Sequence, residues 1–225
     1  MIFPFFKNTR TKSPIILPKF WMNYAALFLK EEAVDSQSKF IVIDTETTGF
    51  DYEKDRILCI GAVLLEKSQI AVKDSFEVYL TQDHYNSDST PIHGILKEEK
   101  KEKTAEIEAL KSFLTYIGNA PIIAHHTMFD VNMINKALHR QGLPSLKNKL
   151  LDTVVLYKKS LLRSPLIEKK DQYSLDELAD KFNISKKDRH TALGDAYITA
   201  LLFLKIIKKL KEKTGQLKFK RLFID

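Results

Sequence analysis

The sequence predicts an α/β domain, a mixed sheet of about five strands flanked by helices. Three observations predict it. Apolar, strand-like segments recur three times between residues 40 and 80. Beyond them, stretches with helical apolar spacing alternate with short apolar runs. Clusters of Gly, Asp and Lys punctuate the pattern.

Residues 1–38 read as an N-terminal extension. Met1–Phe6 is apolar but carries Pro4, and is shorter than the roughly 7–15 apolar residues of a secretory signal. Pro14 and Pro18 favour an extended path. Across 20–32, Trp21, Tyr24, Ala25, Phe28 and Leu29 recur at helical spacing, which predicts a short amphipathic helix packed on the main domain or on a partner, with core packing favoured. Residues 39–213 form that domain. Strands are expected at Phe40–Asp44, Ile57–Leu65, Phe76–Leu80 and Pro121–Ala124. Helices are expected at 98–117, 129–141, 152–162, 174–182 and 190–213. Asp152 is the expected cap of the third, and Ser174-Leu-Asp-Glu177 is a capping box for the fourth. Residues 214–225 read as a basic C-terminal tail, in which alternating Leu217 and Phe219 suggest an edge strand.

A length of 225 residues suits one domain with a core of its own. The single cysteine, Cys59, excludes an intramolecular disulfide framework and a multi-cysteine zinc site. No run of about 18 apolar residues exists, which excludes a membrane-spanning helix. A cytoplasmic location is expected. The net charge is +7, but it is unevenly spread. Residues 1–40 carry 6 basic and 3 acidic groups, residues 205–225 carry 8 and 2, and residues 41–204 carry 22 and 24. Basic ends can serve solubility or can tether a phosphate backbone with steep salt dependence.

The informative residues are acids set against the hydrophobic pattern. In Phe40-Ile-Val-Ile-Asp-Thr-Glu46, alternation puts Asp44 and Glu46 on the face of Phe40 and Val42. Two such carboxylates lie about 7 Å apart along a strand. A divalent cation would relieve their repulsion; so would a strand end already in solvent. Asp130 opens a helix after a buried strand, at the sheet end where α/β proteins place ligands, though first-turn acids also favour the helix dipole. Asp195 shares a helical stripe with Ala192, Ala196, Thr199 and Phe203, so it interrupts a core-facing surface and needs a partner. His190 stands at the start of the same helix.

Taken together, these residues resemble three motifs of the DEDD exonuclease superfamily, in its His-type form. Asp44-Thr-Glu46-Thr-Thr-Gly49 resembles the first, His125-His-Thr-Met-Phe129-Asp130 the second, and His190-Thr-Ala-Leu-Gly-Asp195 the third. The pattern is similar to the proofreading epsilon subunit of bacterial DNA polymerase III and covers about residues 38–211. The resemblance implies a ribonuclease H-like fold and a 3′-5′ exonuclease that releases nucleoside monophosphates from DNA 3′ ends, in proofreading or repair. It implies two Mg²⁺ or Mn²⁺ ions held by Asp44, Glu46, Asp130 and Asp195, a donor set of hard oxygens that suits them. His190 would be the general base. The backbone of Thr47, Thr48 and Gly49, together with His93, would hold the terminal sugar, and Phe129 would stack on a base. One departure stands in the second motif, where His126 replaces the usual Asn and touches the substrate contacts. Leu151-Asp-Thr153 and Ser174–Glu177 match further landmarks and read as caps.

Within the same class, the alternative is a 3′-5′ exoribonuclease of the oligoribonuclease or transfer-RNA-trimming type. Thr47-Thr48 favours the DNA branch. A non-catalytic nucleic-acid-binding module would be expected to lack a metal ligand, whereas all four acids are present. Expected partners are single-stranded or frayed 3′ ends of DNA, with RNA as the alternative, and a DNA polymerase. Gln216-Leu-Lys-Phe219 loosely resembles a sliding-clamp-binding peptide.

Overall fold

A computed structural model describes residues 16–30, 33–83, 102–161 and 170–224. Among them the order of elements is α1 (Lys19–Ala26), β1 (Phe40–Thr47), β2 (Ile57–Glu66), β3 (Gln69–Leu80), β4 (Lys103–Thr104) and α2 (Glu106–Ile117). There follow β5 (Ile122–Ala124), α3 (Met128–Arg140), β6 (Leu150–Asp152), α4 (Thr153–Ser160), α5 (Leu175–Lys181) and α6 (Ala192–Thr214). The six strands lie in the order β4-β3-β2-β1-β5-β6. The hairpin pairs β1–β2 and β2–β3 are antiparallel, while β5 lies parallel to β1 and β6 parallel to β5. The sheet is therefore mixed, as the sequence predicts.

Alternation along β1 divides the core. Phe40 and Val42 pack with α4, α5 and α6 on one face. Ile41 and Ile43 pack with α1, α2 and α3 on the other. The N-terminal helix is part of the domain: Trp21 and Tyr24 are buried, and the Tyr24 hydroxyl donates to Asn148 Oδ1 at 2.6 Å.

Two expectations are corrected and one strand is added. The helix expected at 98–117 begins at Glu106, because Lys103–Thr104 pairs with Tyr79–Leu80 as a short parallel strand; residues 98–101 lie outside the described residues. The Glu106 carboxylate then takes Arg140 and Gln141, which anchors the helix start. The edge strand at Leu217 and Phe219 is a 3₁₀ turn, Phe219–Arg221. Phe219 and Leu222 both enter the core, and an i,i+3 pair shares a side in a 3₁₀ turn but not in a strand. Beyond it, Ile224 pairs with Leu150, so the expected tail is docked. Finally, β6 escaped sequence reading because three residues carry no period.

Two glycines set where α6 begins. Gly61 stands opposite Asp44 in the β1–β2 register. A Cβ there would lie 2.2 Å from the Ala192 carbonyl carbon and 2.3 Å from the Leu193 nitrogen. A Cβ on Gly194 would lie 1.9 Å from the Asp188 carbonyl oxygen. Both contacts are with backbone, so neither can give cheaply. Gly61 lets the first turn of α6 press onto β2, and Gly194 lets the preceding segment fold back on that turn, which together bring Asp195 to Asp44.

Gly61→Ala is expected to push α6 off the sheet and destabilise the protein by about 1–3 kcal/mol, the usual cost of overpacking. Thermal denaturation checks it; an unchanged melting temperature would show that α6 does not depend on this close approach.

Candidate active site

Asp44, Glu46, Thr47, Gly49, His126, Phe129, Asp130, His190 and Asp195 all line one cleft of about 380 Å³. It opens where β1 and β5 end, the end of an α/β sheet that takes ligands. Alternation carries Asp44 and Glu46 out of the apolar run on the α6 face. The N-cap Thr191, which accepts from the Gly194 N–H at 3.1 Å, starts α6 so that Asp195 falls in its first turn. Oxygens of Asp44, Glu46 and Asp195 come within 4.8 Å of one another.

Asp130 comes from the opposite face. It sits in the first turn of α3 and accepts a 2.7 Å hydrogen bond from the Thr45 hydroxyl. It shares the cleft but stands outside the three-carboxylate group. His190 is exposed on the cleft wall, in a left-handed backbone conformation (φ 66°).

Thr48 is not on that wall. Its side chain is fully buried, donates to Asp55 Oδ1 at 2.7 Å and accepts from the Arg56 N–H at 3.0 Å. It shapes the loop that presents Thr47 and Gly49. His125 is fixed in the wall. Its Nε2 lies 2.8 Å from the Tyr173 carbonyl oxygen, and its Nδ1 2.8 Å from the Thr153 hydroxyl. A carbonyl can only accept, so we assign the proton to Nε2 and let Thr153 donate to Nδ1. Burial pulls the His125 pKa down to about 4, which keeps the ring neutral. His126 also has a left-handed backbone (φ 61°), a conformation that Asn and His adopt more readily than most residues. Asp152 caps α4 through Val154 and Val155 and also accepts from the Thr127 N–H, and the Ser174–Glu177 capping box is present. His93 lies outside the described residues.

Four residues of the cleft lining lie outside the set predicted from sequence: Thr45 and His125, described above, and Phe50 and Arg189. Phe50 is 80% exposed and its ring lies 5.7 Å from that of Phe129, which Tyr52 flanks at 5.9 Å. An aromatic residue in a polar loop was a usable signal. Arg189 donates to Asp195 and to Asp176. Nothing in the sequence announced that pairing, which depends on how α5 meets α6.

The electrostatics follow from crowding. Burial, then the charges of Asp130, Asp195 and Glu46, push the Asp44 carboxyl well above the ordinary range. Burial and Asp195 raise Glu46 to about 7, against the pull of Arg189. Burial raises Asp130 to about 7 despite the Thr45 hydrogen bond. Burial also raises Asp195, while Arg189 opposes it. A divalent cation fits this surplus of negative charge. The donor set is hard carboxylate oxygen, and Asp195 Oδ1 is buried without a hydrogen-bond partner among the described residues. A larger groove of about 780 Å³ lies at the other end of the sheet. Among the described residues its lining includes Lys30, Lys39, Lys147 and Lys149 and no carboxylate.

The sheet and its acidic cleft define a ribonuclease H-like nuclease fold. Residues 41–203 match the family model described as Exonuclease (RNase_T), and the chain belongs to that family. It is 33% identical over 183 residues to "DNA polymerase III PolC-type" of Caldanaerobacter subterraneus subsp. tengcongensis, covering 81% of this chain and 12% of that one. It is 32% identical over 177 residues to "DNA polymerase III subunit epsilon" of Aquifex aeolicus, covering 78% and 84%. The chain thus spans about an eighth of the PolC-type relative and most of the epsilon relative. Among solved structures, the nuclease domain of 3′hExo, a DEDDh family member bound to rAMP, superposes with a TM-score of 0.64 at 16% identity, covering 78% of this chain and 94% of that one. That likeness concerns the fold. No helix among the described residues is long and apolar enough to cross a membrane.

The raised carboxyls fix the sign of a pH effect. Folding favours their protonated forms, so their contribution is full below the unfolded value near 4 and is lost as pH rises through about 7. In EDTA, the melting temperature should fall by several degrees from about pH 5 to about pH 8. Asp44→Asn should flatten the fall. A flat or rising wild-type profile would contradict the crowding.

Proposed function

We propose that the chain is a metal-dependent 3′-5′ exonuclease that removes nucleoside monophosphates from the 3′ ends of DNA, in proofreading or repair. One observation carries it: three carboxylates converge at the end of a buried strand, with Asp130 and His190 in the same cleft. Membership of the exonuclease family and the polymerase names of the relatives support it.

Asp44, Glu46 and Asp195 would hold two Mg²⁺ or Mn²⁺ ions, with Asp130 completing the set from the α3 side. Bound there, the ions would supply Lewis acidity and charge for the attacking and leaving oxygens. His190 would take the proton from the attacking water. Its exposed position on the wall leaves room for a solvent molecule and for return of the proton to bulk. Thr47 and Gly49 would hold the terminal sugar from the loop that Thr48 braces. His93 remains assigned to the same sugar on the motif alone, and His126 to the neighbouring edge.

Phe129, backed by Tyr52 and extended by the exposed Phe50, offers a stacking platform for a base. Stacking is worth about 1–3 kcal/mol per base and tolerates any sequence. It selects an unpaired end, because a paired base must first leave its duplex at a cost of a few kcal/mol. A polymerase is the partner this role calls for. The clamp-peptide reading of Gln216–Phe219 gains no support, since Phe219 is packed against Phe40 with rings 5.5 Å apart.

Labelled single-stranded DNA and RNA oligonucleotides of equal sequence, incubated with Mn²⁺, test the activity and its alternative. DNA should be shortened from the 3′ end with mononucleotide release, faster than RNA. Preferential RNA trimming would instead favour the exoribonuclease, and binding with no hydrolysis a non-catalytic module.

His190→Ala should lower turnover by about 10²–10⁴-fold, the usual share of general-base catalysis, with Mn²⁺ binding retained. Asp44→Ala should lose both turnover and Mn²⁺ binding. Unchanged turnover in the first, or unchanged calorimetric Mn²⁺ binding in the second, would refute the corresponding assignment.

A further inference from the structure

One cation already stands among the carboxylates. Of the described residues that line the cleft, Arg189 is the only lysine or arginine. Its guanidinium is shared between two acids. Nη1 donates to Asp195 Oδ2, while Nε and Nη2 donate to the two oxygens of Asp176 at 2.8 and 3.2 Å. The planar fork of arginine suits such a double contact, which a lysine cannot make. Asp176 stands in the first turn of α5, whose start is fixed by the capping box. It is outside the cleft lining, so it grips the guanidinium from behind. Asp195 is left with one oxygen, Oδ1, buried and without a hydrogen-bond partner among the described residues.

We propose that Arg189, clamped by Asp176, is the resident counter-ion of the carboxylate cluster, holding it assembled before a divalent ion arrives and weakening that ion's binding by competing for Asp195. This rests on the reading that these acids hold a divalent ion. Three carboxylates within 4.8 Å cannot all stay ionised together unopposed. A buried carboxylate that loses its partner is left as an uncompensated charge. The guanidinium and the ion answer the same negative charge, so each makes the other less needed. Such coupling is reciprocal: the part of Arg189's contribution that a bound ion displaces is the part subtracted from metal affinity. Asp176 gives the guanidinium a second acid to rest on when Asp195 turns to the ion. Arg189 is thus a positioning residue that sets the metal threshold of the site.

The test uses Mn²⁺ as the probe and the full chain with Arg189→Met, which keeps length and removes charge. Calorimetry should show Mn²⁺ binding tightened about fivefold or more, the low end of typical site-to-site coupling. The variant should melt lower than wild type in EDTA, and saturating Mn²⁺ should close most of that gap. An ordinary structural ion pair would leave the gap equal in both conditions. Equal or weaker Mn²⁺ affinity in the variant overturns the proposal. Should Arg189→Met not fold without metal, Arg189→Lys carries the test, with a smaller gain in the same direction expected and no gain overturning it. A wild-type chain that binds no Mn²⁺ would overturn the metal reading itself, a result distinct from equal binding by the two proteins.

Discussion

The structure is organised around a repulsion. Asp44, Glu46 and Asp195 are brought within 4.8 Å of one another at the end of an otherwise apolar strand, with Asp130 beside them. A fold that merely needed to be stable would keep such groups apart or in open water. This one spends much of its local design on bringing them together. Gly61 and Gly194 let backbone meet backbone at the start of α6, Thr191 caps that helix, and Thr45 fixes Asp130 from the other face. Crowding keeps the carboxyls ready to trade a proton for a divalent cation, with Arg189 and Asp176 holding the balance in the meantime.

The fold and the acids were legible in the sequence to different depths, for physical reasons. Alternation along β1 was sufficient to put Asp44 and Glu46 on one face, because a strand's period is two and its flanks were apolar. Asp195 was legible because a charge on an apolar helical stripe demands a partner. Asp152 and the Ser174–Glu177 box were legible because capping is local chemistry. What escaped was contact between distant elements. The pairing of Arg189 with Asp176 joins α5 to α6, and the turn at Phe219–Arg221 follows from docking against Phe40. The strands Lys103–Thr104 and Leu150–Asp152 exist through their neighbours and are too short to carry a pattern of their own.

The charge distribution takes on a clearer meaning in the folded chain. The domain between the basic ends carries 22 basic and 24 acidic groups, and four of its carboxylates, Asp44, Glu46, Asp130 and Asp195, line the cleft. The basic C-terminal stretch is docked: Phe219 and Leu222 enter the core and Ile224 pairs with β6. Its basic groups are thereby carried on a packed segment of the domain, apart from the acids of the cleft.

The central claim is that crowded, proton-holding carboxylates form a divalent-metal site. Mn²⁺ titrated calorimetrically into metal-free protein near pH 7, in two buffers of different ionisation enthalpy, tests it most directly. With Glu46 and Asp130 raised to about 7 and Asp44 raised as well, metal binding must displace protons. The account predicts saturable binding with net proton release at this pH. Absence of binding, or binding whose heat is the same in both buffers, would contradict it.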